Sequence, residues 1–135
     1  MTDVYTALEE RTCMAPGARV VVSANVPATA GDYLVPIPFR GRLVHCQTSV
    51  VVAVGATNAI TLKLEKDAAG GTSLGSATIA ASAAVGTEDT ATLTAGATDD
   101  TMTLDNQDIC LAVTGSQTTG NMNVFMIFEH ARTGG

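Results

Sequence analysis

The sequence has few of the side chains that build sugar-binding platforms. It contains no tryptophan, two tyrosines and three phenylalanines among 135 residues. Sugars usually stack on aromatic rings, whose flat apolar faces cover the apolar side of the sugar. The shortage therefore lowers the prospects of a carbohydrate-binding module, although polar groups in loops can also bind sugars.

Basic residues and long apolar runs are scarce too. Seven lysines plus arginines face thirteen acidic residues, which gives a net charge of −6. A protein that follows a phosphate backbone needs a basic stripe, and a membrane helix needs about 20 apolar residues. Asp3, Glu9 and Glu10 occupy the place of a signal peptide's apolar core. We expect no nucleic-acid partner, no membrane partner and synthesis in the cytoplasm.

The sequence offers no catalytic constellation. His45 and His130 are the only histidines. His45 precedes Cys46 directly, and neighbours on a strand point to opposite faces, so the two cannot form a Cys–His pair. Two histidines cannot supply the ligand cluster of a cupin-type metal site. No phosphate-binding loop, dinucleotide fingerprint or zinc spacing is present. We expect no enzyme, no cofactor, and no catalytic or metal-binding residue.

Acidic residues cluster in polar stretches of the second half. Oxygen-rich loops can hold Ca²⁺, but the pattern lacks the glycine and closing glutamate of an EF-hand loop. The residues concerned are Glu88, Asp89, Asp99, Asp100, Asp105 and Asp108. We expect them to be solvated loop carboxylates.

We expect a core of small side chains in which the cysteines are reduced. The composition is 46% hydrophobic and 4% aromatic, so alanine and valine dominate and each removes little area from water. Such a chain gains stability by association, which predicts an oligomer. Cys46 and Cys110 lie in apolar runs and Cys13 leaves an odd count, so we expect buried free thiols rather than disulfides.

Hydrophobic periodicity predicts an all-β domain of about eight strands separated by turn signals. The predicted strands cover residues 18–24, 33–39, 42–54, 59–66, 72–81, 90–94, 108–114 and 121–130. Pro36 and Pro38 make the second an edge strand or an extended segment. This pattern favours an antiparallel β-sandwich, and eight strands in two sheets favour a jelly roll, with an immunoglobulin-like strand order left open.

Three of these segments carry specific expectations about faces. In 42–54, the alternate residues that include Val44, Cys46, Val52 and Val54 should face the core, with a bulge or bend near Thr48-Ser49. In 59–66, leucines and Ile60 should face inward while Thr61, Lys63 and Glu65 face water. Segment 121–130 is apolar on both faces, which predicts a central strand or a subunit interface.

The first 17 residues are predicted to form an amino-terminal arm, and residues 18–135 the β-sandwich domain. Thr2 could cap a two-turn helix over residues 3–11, which is too short to be stable alone. Two interpretations are open. The arm is either a packed or frayed terminus, or a segment that becomes ordered on a partner. If it orders on a partner, Val4, Tyr5 and Leu8 are the expected contact residues.

Two segments carry a resemblance to a known family. They are GRLVHCQTSVVVAVGATNAITLKLEKDAAGGTSLGSATIAASAAVGT at 41–87 and the closing NMNVFMIFE at 121–129. Their strand after G-R-L, the A-I-T-L-K-L strand and the G-G turn resemble the capsid decoration (cement, auxiliary head) proteins of tailed bacteriophages. The resemblance implies a jelly-roll homotrimer that binds the major capsid protein on the outer surface of the virion. A carbohydrate- or receptor-binding tail or fibre module is the alternative.

Overall fold

The computed structural model describes residues 18–94 and 103–130, which form one curled antiparallel sheet. Its strands are β1 (Arg19–Pro27), β2 (Gly31–Val52), β3 (Ile60–Lys66), β4 (Ser73–Ile79), β5 (Glu88–Thr90), β6 (Thr92–Leu93), β7 (Thr103–Thr114) and β8 (Asn121–His130). The strand order is β1-β8-β2-β7-β3-β4-β6, and β5 pairs with β2. The all-β antiparallel prediction is confirmed, whereas the predicted helix over 3–11 lies outside the described residues.

β2 belongs to two halves of the sheet. Its first part, from Gly31 to Ile37, pairs with β7, and its second part, from Gly41 onward, pairs with β8. The register shifts between Ile37 and Arg40, where Pro38 cannot donate to a ladder. The strand therefore turns from one half-sheet to the other. Segments 33–39 and 42–54, predicted as separate strands, are one strand.

The chain passes from one half-sheet to the other a second time between the short strands β5 and β6. β5 pairs with β2 across Gln47–Ser49, and β6 pairs with β4 at Gly75 and Ser76. One half-sheet is thus β1-β8-β2-β5 and the other is β2-β7-β3-β4-β6. Part of the Ala-rich stretch after Ala80 runs along the edge of β2, since the N–H of Val50 donates to the Thr87 oxygen at 2.9 Å.

The core lies between the two half-sheets and is filled from the inward faces of the long strands. Alternate residues of β3, β7 and β8 are almost fully buried, as the apolar periodicity predicts. They are Ile60, Leu62 and Leu64, Ile109, Leu111 and Val113, and Met122, Val124, Met126 and Phe128. The inward face predicted for 59–66 is confirmed.

Register shifts correct the predicted faces of β2. They occur between Leu43 and His45 and between Val50 and Val52, whereas Thr48 and Ser49 lie in regular ladder pairing. The bulge or bend predicted near Thr48-Ser49 is therefore displaced: one shift begins at Val50, directly after Ser49, and a second, unpredicted one follows Leu43. Because each shift reverses the parity of the side chains, Leu43 is buried and Val52 is 52% exposed, the opposite of the prediction.

Glu65 also departs from its predicted place. It is only 6% exposed, although the alternation of β3 predicted a carboxylate facing water. Pairing between β3 and β4 shifts at this point, between Leu64 and Glu65. Glu65 lies opposite Cys110 of β7 on the outer side of that half-sheet.

Among the residues the structure describes, no helix is long and apolar enough to cross a membrane.

Candidate interaction surface

The structure separates the residues that a catalytic or metal site would need. Within 18–94 and 103–130, no three histidine, cysteine, aspartate or glutamate side chains are grouped as metal ligands would be. Cys46 is buried in the core, and His45, its neighbour in the chain, is half-buried on the opposite face of β2. The predicted separation of this pair is confirmed.

Several acidic residues lie in strands rather than in loops. Glu88 and Asp89 belong to β5, and Asp105 and Asp108 belong to β7. The expectation of loop carboxylates is wrong for Glu88, Asp89 and Asp105, whereas Asp108 lies in the strand predicted over 108–114. The carboxylate of Asp105 accepts a hydrogen bond from Nη1 of Arg40 at 3.4 Å. Asp99 and Asp100 lie outside the described residues.

Both described cysteines are free and buried, as predicted, and Cys13 lies outside the described residues. Burial in the core raises the pKa of the Cys46 thiol to about 12. Cys110 lies on the outer side of β7, and its pKa is also raised, first by burial and then by the negative charges of Asp32 and Glu65. A raised pKa favours the protonated thiol, which is a much weaker nucleophile than the thiolate.

The most distinctive outer surface lies on the half-sheet centred on β8. Strand pairing places Val21, Ile127 and His45 in one row across β1, β8 and β2, and Phe125 between Ser23 and Gln47 in the next. We call this surface, with Val21, His45, Gln47, Phe125 and Ile127 at its centre, the β8 face. Its members come from strands about 100 residues apart in the chain.

The β8 face exposes large apolar side chains. Val21 is 62% exposed and Phe125 is 38% exposed. An exposed aromatic ring beside exposed aliphatic groups is typical of surfaces that bind other proteins. β8 is thus apolar on both faces because one face fills the core and the other contributes to this surface. The prediction that 121–130 is a central strand is confirmed, since β8 lies between β1 and β2.

Polar groups border the apolar centre at one end. The side-chain amide of Asn25 donates to the Oδ1 atoms of Asn121 and Asn123, the latter at 2.9 Å. The amide of Asn121 donates back to the Oδ1 of Asn25 at 2.7 Å. These asparagines form a hydrogen-bonded cluster on the outer side of β1 and β8. The cluster gives the surface the polar rim found around protein interfaces.

Charged groups border the other end. Arg19 of β1 and Arg42 of β2 both lie opposite Glu129 of β8. Alternating charges on adjacent strands stabilise the sheet modestly. An open depression of about 350 Å³ lies here, lined by Arg19, Arg42, Leu43, Val44, Leu93, Thr94 and Glu129. Its lining includes no histidine, cysteine or serine.

The opposite half-sheet presents a different outer surface. Leu34 is 55% exposed there, but its cross-strand neighbour is the buried Cys110. Asp32 and Pro36 flank Leu34 on the same side of β2. A single exposed leucine is ordinary for a protein surface. The β8 face is therefore the better candidate for an interface.

No protein-family model, curated protein or solved structure matches this chain.

The residues predicted to contact a partner, Val4, Tyr5 and Leu8, lie outside the described residues. The chain that carries them joins the fold at Ala18, whose oxygen accepts a hydrogen bond from the N–H of His130 at 2.7 Å. Arg19, the next residue, borders the β8 face. The point at which the described chain begins therefore lies at one end of the β8 face.

Proposed function

We propose that this chain is a virion structural protein, a capsid decoration protein that binds the outer surface of an assembled bacteriophage head and stabilises it. In this proposal its strands form a jelly-roll β-sandwich, it acts as a homotrimer, and its partner is the major capsid protein. The resemblance of 41–87 and 121–129 supports the assignment. The observation that carries it is the β8 face, where Val21 and Phe125 are exposed on a continuous three-stranded surface.

The physical basis of stabilisation is preferential binding. A protein that binds the assembled lattice and not the dissociated subunits shifts the equilibrium toward the assembled head. Such a role requires a stable fold, an interface and no chemistry. The all-β core and the two buried cysteines are consistent with this requirement.

The direct experiment compares assembled heads with unassembled capsid subunits. Purified protein is added to undecorated heads of the phage that encodes it, and bound protein is measured after sedimentation together with the melting temperature of the heads. We expect saturable binding to heads, little binding to free subunits and a higher melting temperature. Absence of binding, or equal binding to free subunits, would contradict the proposal.

The arm is tested separately by deleting residues 2–16. We expect the truncated protein to keep the circular dichroism spectrum of the β domain and to lose head binding, because Val4, Tyr5 and Leu8 are the proposed contacts. Unchanged binding would refute the role of the arm. The β8 face would then be the surface to test next.

One observation favours a second candidate function, a carbohydrate- or receptor-binding module of a tail or fibre. Phe125 is a partly exposed aromatic ring with the amide of Gln47 opposite it, and Asn123 lies two residues away on the same face of β8. Aromatic rings flanked by amides are suited to sugars. A glycan array probed with the wild type and with Phe125→Ser distinguishes this function from capsid decoration. Glycan signals that the wild type gives and the variant loses would support sugar binding.

A further inference from the structure

β1 has one free edge within the described residues. It pairs with β8 on one side, and among residues 18–94 and 103–130 no strand pairs with its other side. The hydrogen bonds from His130 to Ala18 and from Ala28 to Gly120 continue the β1–β8 register at both ends. Antiparallel ladders bond through every second residue. Even-numbered residues of β1 therefore bond β8, and the N–H and C=O groups of Val21 and Ser23 point outward.

The free edge of β1 lacks the features that normally prevent pairing. Such edges usually carry prolines, charges or bulges. The free edge of the first part of β2 carries Pro36 and Pro38. β1 has no proline before Pro27, no charge after Arg19 and no register shift. The free edge of the first part of β2 is thus protected, whereas the free edge of β1 is open to a further strand.

We propose that β1 pairs antiparallel with β1 of a second copy of this chain, about a twofold axis at Val22. In this register Val21 lies opposite Ser23 of the second copy, and Arg19 lies opposite Asn25. No like charges meet, and each outward N–H from Arg19 to Asn25 has an acceptor. A register centred on Ser23 would bring Pro27, which has no N–H, into the ladder. The pairing also places two β8 faces side by side, and it does not depend on capsid binding.

The mass in solution, measured by light scattering after size exclusion, tests the pairing. We expect two subunits of 13.7 kDa, or six where the proposed trimer also forms. Ser23→Pro removes an outward N–H that β8 does not use, so it should halve the mass and leave the β-sheet circular dichroism spectrum unchanged. The control Ser23→Ala keeps the N–H and should keep the wild-type mass. A wild-type mass of one or three subunits, or an unchanged mass in Ser23→Pro, overturns the proposal.

A disulfide test does not depend on how Ser23→Pro folds. In a Cys13→Ser background, Val22→Cys places two thiols directly opposite each other, where paired Cα atoms are about 4.5 Å apart, within disulfide range. Val20→Cys is the matched control, since Val20 lies opposite Ala24 and its own counterpart is about 13 Å away. We expect a covalent dimer from Val22→Cys alone. Crosslinking of both variants, or of neither, overturns the proposed pairing.

Discussion

Phe39 and Phe128 meet edge to face, with ring centroids 5.7 Å apart and planes at 85°. Phe39 lies within the register shift of β2, and Phe128 lies on β8 opposite Leu43. Edge-to-face pairs contribute beyond their buried area. A Cβ on Gly41 would come within 2.8 Å of the Phe39 ring. The contact therefore lies at the bend of β2, which joins the two half-sheets, and a side chain at Gly41 would force the Phe39 ring to shift.

Removing the Phe128 ring should destabilise the domain. Phe128→Ala creates a cavity at a fully buried position, and such changes lower the free energy of unfolding by about 3–5 kcal/mol. Urea unfolding measures the loss. The control Phe125→Ala, on the same strand but facing outward, should cost markedly less. Equal losses in the two variants would contradict the assignment of the two faces of β8.

Two glycines should differ in their tolerance of alanine. Both have positive φ, +154° at Gly75 and +78° at Gly70. A Cβ on Gly75 would lie 2.6 Å from the carbonyl oxygen of Thr92 in β6, whereas one on Gly70 would meet nothing within 4 Å. We expect a loss in unfolding free energy of about 2–6 kcal/mol for Gly75→Ala and about 1–2 kcal/mol for Gly70→Ala.

Comparing these two variants tests whether β6 packs against β4, because the β6 backbone approaches β4 closely at Gly75. Thermal unfolding of the two variants in the same buffer is sufficient. If Gly75→Ala is no less stable than Gly70→Ala, then β6 does not pack against β4 as described.

The Cys46 thiol should make stability fall at alkaline pH. Its pKa is about 12 in the folded protein, against 9.0 for an ordinary cysteine. Below pH 9 both states hold the proton, and above it only the unfolded state loses it, so rising pH favours unfolding. The expected loss is about 1.4 kcal/mol per pH unit between pH 9 and 12.

Other groups also titrate in this range, so the measurement is a difference between the wild type and Cys46→Ala. Urea unfolding at pH 8, 9, 10 and 11 should show the two free energies of unfolding converging as the pH rises. Parallel pH profiles would mean that the Cys46 thiol is not buried in the core.

The sequence predicted those strands whose pattern is local and unbroken. Alternation identified β3 and its inward residues Ile60, Leu62 and Leu64. The two apolar faces of 121–130 indicated a central strand or a subunit interface, and β8 lies between β1 and β2. These signals succeed because burial acts on alternate side chains of each strand independently of its partners.

The faces of β2 and the full length of β7 were not predictable in the same way. A bulge such as the one after Leu43 inserts one residue and reverses the parity, and no local composition marks it. Residues 103–107 of β7 read TLDNQ, which is too polar to signal a strand. The β8 face was missed because Val21 and His45 join Ile127 only through long-range pairing, whereas periodicity reports one strand at a time.

The β8 face should tolerate charge without loss of fold. Phe125→Asp and Leu34→Asp each place a carboxylate at a partly exposed position on the outer side of a half-sheet. We expect either change to alter the free energy of unfolding by less than about 1 kcal/mol, as surface substitutions usually do. Urea unfolding with unchanged m-values is the check. A large loss in Phe125→Asp would mean that its ring supports the core.

Binding of these two variants to undecorated heads tests the proposed function most directly. Each variant is titrated onto heads, and the dissociation constant is compared with that of the wild type. We predict that Phe125→Asp weakens binding about tenfold or more, as the loss of a central aromatic contact does, while Leu34→Asp binds as the wild type does. Wild-type affinity in Phe125→Asp, or equal weakening in both variants, would contradict the β8 face as the docking surface.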